Sequence, residues 1–319
     1  MPTLMLNKKE VRRLINIGDV IDVVEAAFRD YTGGKGEMPS KVYLTVKDGD
    51  FRAMPASLPG EAGMKWVSVH TGNIAKGLPT VMAVLIFNDP VTGYPLAIMD
   101  ASEITALRTA ATSTIASKYL ARKNAATLGI IGAGYQAYHH IKAHCEVFKF
   151  KEIMVADISP QAAGRLIDSL PNLPLRACSI EETARADIIC TLTPAHQPVL
   201  EQKWLKPGTH INAVGADAEG KEELEPAILN GATVVVDDLR QAIHAGEINV
   251  PVAKGLYKKE QIYAELGEII LGNKPGRTNN EIITVFDSTG LAIEDIATAG
   301  MVYQKARQNG AGVSINLVD

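Results

Sequence analysis

The sequence predicts an α/β protein in which a Rossmann-type doubly wound parallel sheet is joined to a separate α+β domain. Three observations carry this. Between residues 127 and 236 short apolar strands alternate with helical stretches, as in a parallel sheet covered on both faces. Between residues 41 and 100 β-branched runs follow one another with only turns between them, as in an antiparallel meander. The chain has 319 residues, more than the roughly 250–300 at which a single core stops growing. The expected domains are 1–118 plus 300–319 and, between them, 119–299.

In chain order, Asn7 can cap a first helix whose apolar positions Val11, Leu14, Val20, Ile21, Val24 and Phe28 keep helical spacing, broken near Gly18. Gly33, Gly34 and Gly36 end it. Strands are expected at 42–46, 51–55, 64–69, 80–88 and 95–100, separated by K-D-G-D, L-P-G and D-P-V-T-G turns. A helix over 102–123, rich in Ala and Thr, starts at Ser102. The parallel sheet then takes strands near 127–131, 152–156, 175–178, 188–191, 210–214 and 233–236, and a last strand ends in D-S-T-G before a helix over 291–308. Asp287 or Ser288 is expected to cap that helix.

Composition narrows the function. A net charge of −4 with no basic stripe argues against nucleic acid and anionic lipid. No apolar run approaches the ~20 residues of a membrane helix, and the N-terminus lacks a basic segment followed by an apolar one. The expectation is a cytoplasmic protein with no membrane partner. Cys145, Cys178 and Cys190 lack C-x-x-C spacing and read as small core residues rather than disulfides or metal ligands.

The chemistry starts at G-A-G-Y-Q-A, residues 132–137, which follows the apolar run T-L-G-I-I and opens a helix. Gly132 permits the tight turn, Gly134 lets backbone approach a pyrophosphate at the helix's positive end, and Ala137 is small where helix meets strand. Asp157 closes the next strand, where a carboxylate accepts from ribose hydroxyls and repels a 2′-phosphate, which favours NAD over NADP. Thr191 and Thr193 follow another parallel strand, and V-G-A-D places Asp217 after the next, on the ligand-binding edge of the sheet.

Charges in apolar surroundings are the remaining candidates. Lys65 in G-M-K-W-V is either a solvated strand lysine or a buried one with a lowered pKa, fit for proton transfer. Arg52 stands in F-R-A-M-P and Lys41 opens the first strand. Arg108, in an otherwise small and apolar helix, suits a carboxylate or phosphate. His139, His140 and His144 read as a solvated helix face without a metal signature. Ser288 can donate to a nicotinamide carboxamide.

Over nearly its whole length the chain resembles the ornithine cyclodeaminase/μ-crystallin family. P-S-K-V-Y-L, F-R-A-M-P, G-M-K-W-V-S-V-H-T-G-N, L-R-T-A-A-T-S, G-A-G-Y-Q-A, N-A-V-G-A-D and F-D-S-T-G-L-A-I-E-D carry the resemblance. It implies an NAD-binding Rossmann domain within a substrate domain whose sheets pair across a homodimer. It implies that Lys65 and Asp217 are the catalytic pair, with Lys41 and Arg52 at the substrate. The cofactor then takes Arg108, Thr109, Gly132, Gly134, Tyr135, Gln136, Asp157, Thr191, Thr193, Val214 and Ser288. Arg52 stands where the cyclodeaminase pattern has glutamate, and Glu219 where many members have proline. A cation at position 52 disfavours a diamine and suits a small amino acid and its 2-oxo acid. The resemblance thus implies NAD-dependent deamination of alanine, with ornithine cyclodeamination, imine or ketimine reduction and a non-enzymatic crystallin-type role as alternatives.

Overall fold

A computed structural model describes residues 2–318, which divide into two units: one made of residues up to Thr109 and from Leu291 on, the other Ala110–Gly290. The first unit opens with β1 (Thr3–Leu6), α1 (Lys8–Leu14) and α2 (Ile17–Thr32). Asn7 caps α1 through a reciprocal box with Glu10, and Asn16, not Gly18, separates the two helices by capping α2. Such caps contribute about 1 kcal/mol each. Then come β2 (Val42–Val46), β3 (Gly49–Leu58), β4 (Glu61–Val69), β5 (Val81–Asn88), β6 (Pro95–Asp100) and α3 (Ser102–Leu120). At the start of α3 the carboxylate of Asp100 accepts from the Ser102 amide and hydroxyl.

The second unit runs through β7 (Thr127–Ile131), α4 (Tyr135–Val147), β8 (Glu152–Ala156), α5 (Pro160–Asp168), β9 (Leu175–Ala177), α6 (Ile180–Thr183), β10 (Ile188–Thr191), β11 (His196–Leu200) and β12 (His210–Ala213). It continues with β13 (Glu222–Leu224), α7 (Pro226–Asn230), β14 (Ala232–Val236), α8 (Leu239–Ala245), α9 (Asn249–Ala253), β15 (Ala264–Glu265), α10 (Leu266–Ile270) and β16 (Ile283–Asp287). The chain closes in the first unit with α11 (Ala292–Asn309) and β17 (Val313–Ile315).

In the first unit a seven-stranded sheet has the order β17-β1-β6-β5-β4-β3-β2. The meander from β2 to β6 is antiparallel throughout, as expected. β1 was not foreseen: four residues, T-L-M-L, are too few to show a period, yet they pair parallel to β6. Period-two alternation sends Met54, Lys65, Val67, Leu85 and Phe87 to the buried face, and α11 packs on β3, β4 and β5. In the second unit the eight-stranded sheet runs β15-β14-β16-β12-β10-β7-β8-β9, and its strands are parallel. The strand order reverses between β7 and β10, the switch point at which such sheets bind ligands.

The division between units falls earlier than expected, after Thr109 rather than 118 and after Gly290 rather than 299. The reasons are local. Ser113, Thr114 and Ser117 of α3 bond to His140 and His144 of the second unit, while α11 packs along its length on the first unit's α2 and sheet.

Candidate functional site

In the first unit the alternation of β4 points Trp66 to the exposed face and Lys65 inward, where its side chain has 0% exposure. Burying an ammonium costs several kcal/mol unless an anion meets it. The first turn of α11 supplies that anion: both carboxylate oxygens of Asp295 lie on Lys65 Nζ, at 2.8 and 2.7 Å. Arg108 of α3 reaches the same carboxylate with Nε at 2.9 Å and donates through Nη1 to Glu294 at 2.7 Å. Two cations and two carboxylates thus form one buried cluster.

Burial pulls the Lys65 ammonium down to about 7, helped by the positive charges of Arg108 and Lys41 and resisted by Asp295. Burial also lowers Arg108, but Asp295 and Glu294 overturn this and hold it above its usual range. Glu294 is raised, by burial, against the pull of Arg108. Lys65, held at about 7, can gain or lose a proton at little cost near neutral pH.

Arg52 shares the face of Lys65, because Met54 stands opposite Lys65 and Arg52 is two residues along. It is buried, its Nε is 2.7 Å from Asp50 Oδ1, and its guanidinium lies 5.3 Å from the centre of the Tyr43 ring. Lys41 precedes β2, close enough to depress Lys65. Thr109 is buried with its hydroxyl on the Thr105 carbonyl, one turn back in α3.

In the second unit the candidates line the carboxyl ends of the parallel strands. Gly132 follows β7 with φ +99°, and a Cβ there would stand 2.9 Å from the Leu192 carbonyl oxygen, so glycine is required twice over. Gly134 caps α4 without a side-chain hydrogen bond, and a Cβ on it would meet nothing within 4 Å. The positive end of a thirteen-residue helix is therefore open to an anion. Asp157 follows β8 and accepts from the Ala133 amide of the glycine turn and from the Ser159 amide, each at 2.7 Å. Tyr135 is exposed on the first turn of α4, its ring edge-on to His139.

Thr191 ends β10, Val214 follows β12 and Ser288 follows β16, all three buried. Ser288 Oγ and Gln136 Oε1 are buried with no hydrogen-bond partner among the described residues, as expected of atoms that face a polar ligand. These features fit a dinucleotide: a turn for its pyrophosphate, a carboxylate for its ribose and orphaned polar atoms beyond. Asp217 lies in the loop after β12, 2.5 Å from Lys221 Nζ, four residues further along the chain.

Three expectations are corrected. His139, His140 and His144 are buried, not a solvated face. His140 and His144 meet Ser113 and Ser117 at 3.1 and 3.0 Å, and burial lowers them to about 3 and about 4, so both are neutral. D-S-T-G does not cap α11. The N-cap is Leu291, while Asp287 accepts from the Glu247 and Ile248 amides and Asp237 holds the Thr289 and Gly290 amides. Of the cysteines only Cys190 is in the core; Cys145 and Cys178 are half-buried. Among the described residues no group of three His, Cys, Asp or Glu side chains is placed to hold a metal, and no helix is long and apolar enough to cross a membrane.

The fold and the site define a two-unit α/β protein of Rossmann type with an open glycine turn at the switch point. The model of the ornithine cyclodeaminase/mu-crystallin family matches residues 1–310, and the chain belongs to that family. It is 50% identical to an alanine dehydrogenase of Archaeoglobus fulgidus over 99% of this chain and 98% of the relative. An archaeal alanine dehydrogenase dimer solved with bound NAD superimposes with a TM-score of 0.98 at 49% identity, over 100% of both chains. The Thermococcus litoralis Δ1-pyrroline-2-carboxylate reductase, solved with NADH and L-proline, gives a TM-score of 0.94 at 38% identity, over 98% of this chain and 100% of that one.

Proposed function

We propose that this protein is an NAD-dependent oxidoreductase that converts L-alanine, water and NAD reversibly to pyruvate, ammonium, NADH and a proton. The observation that carries the reading is Lys65: an ammonium wholly out of water, gripped by Asp295 and poised near neutrality. The extent of likeness to alanine dehydrogenases supports the choice of substrate.

The turn at Gly132 and Gly134 would hold NAD, with Asp157 selecting a ribose that lacks a 2′-phosphate, and the bound cofactor would supply the acceptor for the hydride of the substrate Cα. Arg52 and Lys41 hold the substrate carboxylate, and Arg108 keeps this region positive. Loss of hydride leaves an imine. Asp217 takes a proton from the amine, releases it to solvent, and then takes one from the water that adds to the imine carbon. Lys65 hydrogen-bonds the new oxygen and carries its proton as ammonia leaves.

A homodimer is part of the reading. The face of the first unit's sheet turned away from α11 exposes Val42, Leu44, Trp66, Met82 and Val84. A contiguous apolar face of this kind is covered in a stable assembly.

The test is purified protein with NAD and, separately, L-alanine, L-ornithine and L-proline, following absorbance of the reduced nicotinamide and chromatographing the products. NADH with L-alanine, and no proline from L-ornithine, is expected. Oxidation of L-proline in preference to L-alanine would replace this reading with that of a cyclic-imine reductase, to which the likeness to the Thermococcus enzyme also points.

A further inference from the structure

We propose that Glu223 is a positioning residue that aligns the dinucleotide edge of the parallel sheet and the loop carrying Asp217. Glu223 belongs to β13, outside the eight-stranded sheet, and is fully buried. Its carboxylate accepts four hydrogen bonds, all from the strand-end loops of β10 and β12. Oε1 takes the Thr193 amide and hydroxyl, each at 2.7 Å. Oε2 takes the Thr191 hydroxyl at 2.7 Å and the Gly215 amide at 2.8 Å. Four donors fill the acceptor positions of a carboxylate, so this one side chain ties the two loops together in the gap between the end of the β10–β12 ladder at Thr191 and Ala213 and the β11–β13 pairing that follows.

The fit is close. A Cβ on Gly215 would lie 2.1 Å from the Thr193 carbonyl oxygen and 2.7 Å from the Glu223 carboxyl carbon. Glycine is needed at 215 because the carboxylate occupies the space beside it. Asp217 follows two residues later, so a shift of Gly215 is carried to it.

The brace is itself braced. The Glu223 amide donates to both oxygens of Glu247, at 3.0 and 3.1 Å, and the Leu224 amide adds a bond of 2.6 Å to Oε1. The Glu247 and Ile248 amides donate to Asp287 at 2.9 and 3.2 Å. Asp287 ends β16, the strand beside β12. Three buried carboxylates, each holding backbone amides beside the next, thus run from the end of β16 to the ends of β12 and β10. Polar groups beside this run include the threonines and amides named, Tyr257 at Asp287 and Cys190 at Glu223.

This inference rests on the dinucleotide reading above, and its test separates the two. Glu223→Gln keeps shape and volume but replaces one acceptor oxygen with an NH₂ group that faces two donors. NADH binding, read by nicotinamide fluorescence, is expected to weaken about tenfold or more. KM for NAD should rise while KM for L-alanine stays near wild type, a split that general destabilisation would not produce. In the protein without cofactor, amide exchange at Thr193 and Gly215 should quicken relative to the core strands. Thr193→Val, which removes one donor and keeps the carboxylate, should show the same changes more weakly and serves if Glu223→Gln fails to fold. Wild-type affinity and exchange in both variants would overturn the brace while leaving the dinucleotide reading intact. Failure of the wild-type protein to bind NADH would overturn the dinucleotide reading, and the brace's role in it.

Discussion

Around Lys65 the chain buries two cations against two carboxylates, whereas around His144 it buries rings and hydroxyls that carry no charge. Both clusters lie out of water, and burial acts on each in the same direction, against the charged form. The outcomes differ because the partners differ. Asp295 and Glu294 keep Arg108 charged, while burial and the charge of Arg108 bring Lys65 down to about 7 against the pull of Asp295. Ser113, Thr114 and Ser117 offer hydroxyls to His140 and His144, and the Thr284 hydroxyl and the Asn212 amide oxygen meet His210. With no anion among these partners, the three histidines stay neutral down to about 3, 4 and 3. The first cluster holds a mobile proton near neutral pH, as proton-transfer chemistry requires. The second holds none and contributes packing and register.

The comparison can be broken most forcefully at Asp295. Asp295→Ala removes the anion that Lys65 and Arg108 share, and leaving buried charge uncompensated typically costs about 3–5 kcal/mol. The expected result, read by denaturant unfolding, is a loss in that range. The milder Asp295→Asn should move the Lys65 ionisation in a pH–rate profile to lower pH, since Asp295 is the group that raises it. A shift to higher pH would contradict the cluster as described.

The histidine cluster is probed by acid. Its folded-state values lie below the unfolded value of about 6.5, so between these limits the unfolded chain binds more protons and stability rises with pH. The contribution is complete above about pH 6.5 and is lost as pH falls toward 3–4. At pH 5 each histidine should have cost about 2 kcal/mol. Unfolding at pH 7 and pH 5 should show this loss, and His144→Asn should reduce it. No change between the two pH values would mean that these rings are hydrated.

The smallest effect concerns a charge outside both clusters. Asp157→Ala should narrow the preference for NAD over NADP, which we expect to be about tenfold or more in the wild type, or roughly 1.4 kcal/mol. Parallel fluorescence titrations with NADH and NADPH measure it. A wild-type preference for NADPH would contradict the role given to Asp157.

What the sequence made legible follows period. The alternation in β2 to β6, the α/β rhythm from β7 to β14 and the glycine turn at Gly132 and Gly134 are local patterns, and the strands and the switch point formed where those patterns put them. The site was legible in part: residues at the ends of β7, β8, β10, β12 and β16 could be named because such ends share one edge. What escaped depends on distant partners. Lys65 meets a carboxylate 230 positions away, and His140 meets a hydroxyl 27 positions away, so local polarity misled about the burial of the histidines. Glu223 sits in K-E-E-L, which looks like an exposed charged stretch. Only the pairing of β13 with β11 turns it under the strand ends.

Whether burial of Lys65 serves proton transfer is decided by turnover of Lys65→Ala with L-alanine, measured beside its affinity for NAD. The account predicts a fall of at least about 100-fold, the low end for acid–base catalysis, with NAD affinity little changed. Asp217→Asn should behave alike, and the double variant little worse than either, because both serve one step. Near-wild-type turnover in Lys65→Ala would contradict the account and leave Lys65 as a buried structural charge.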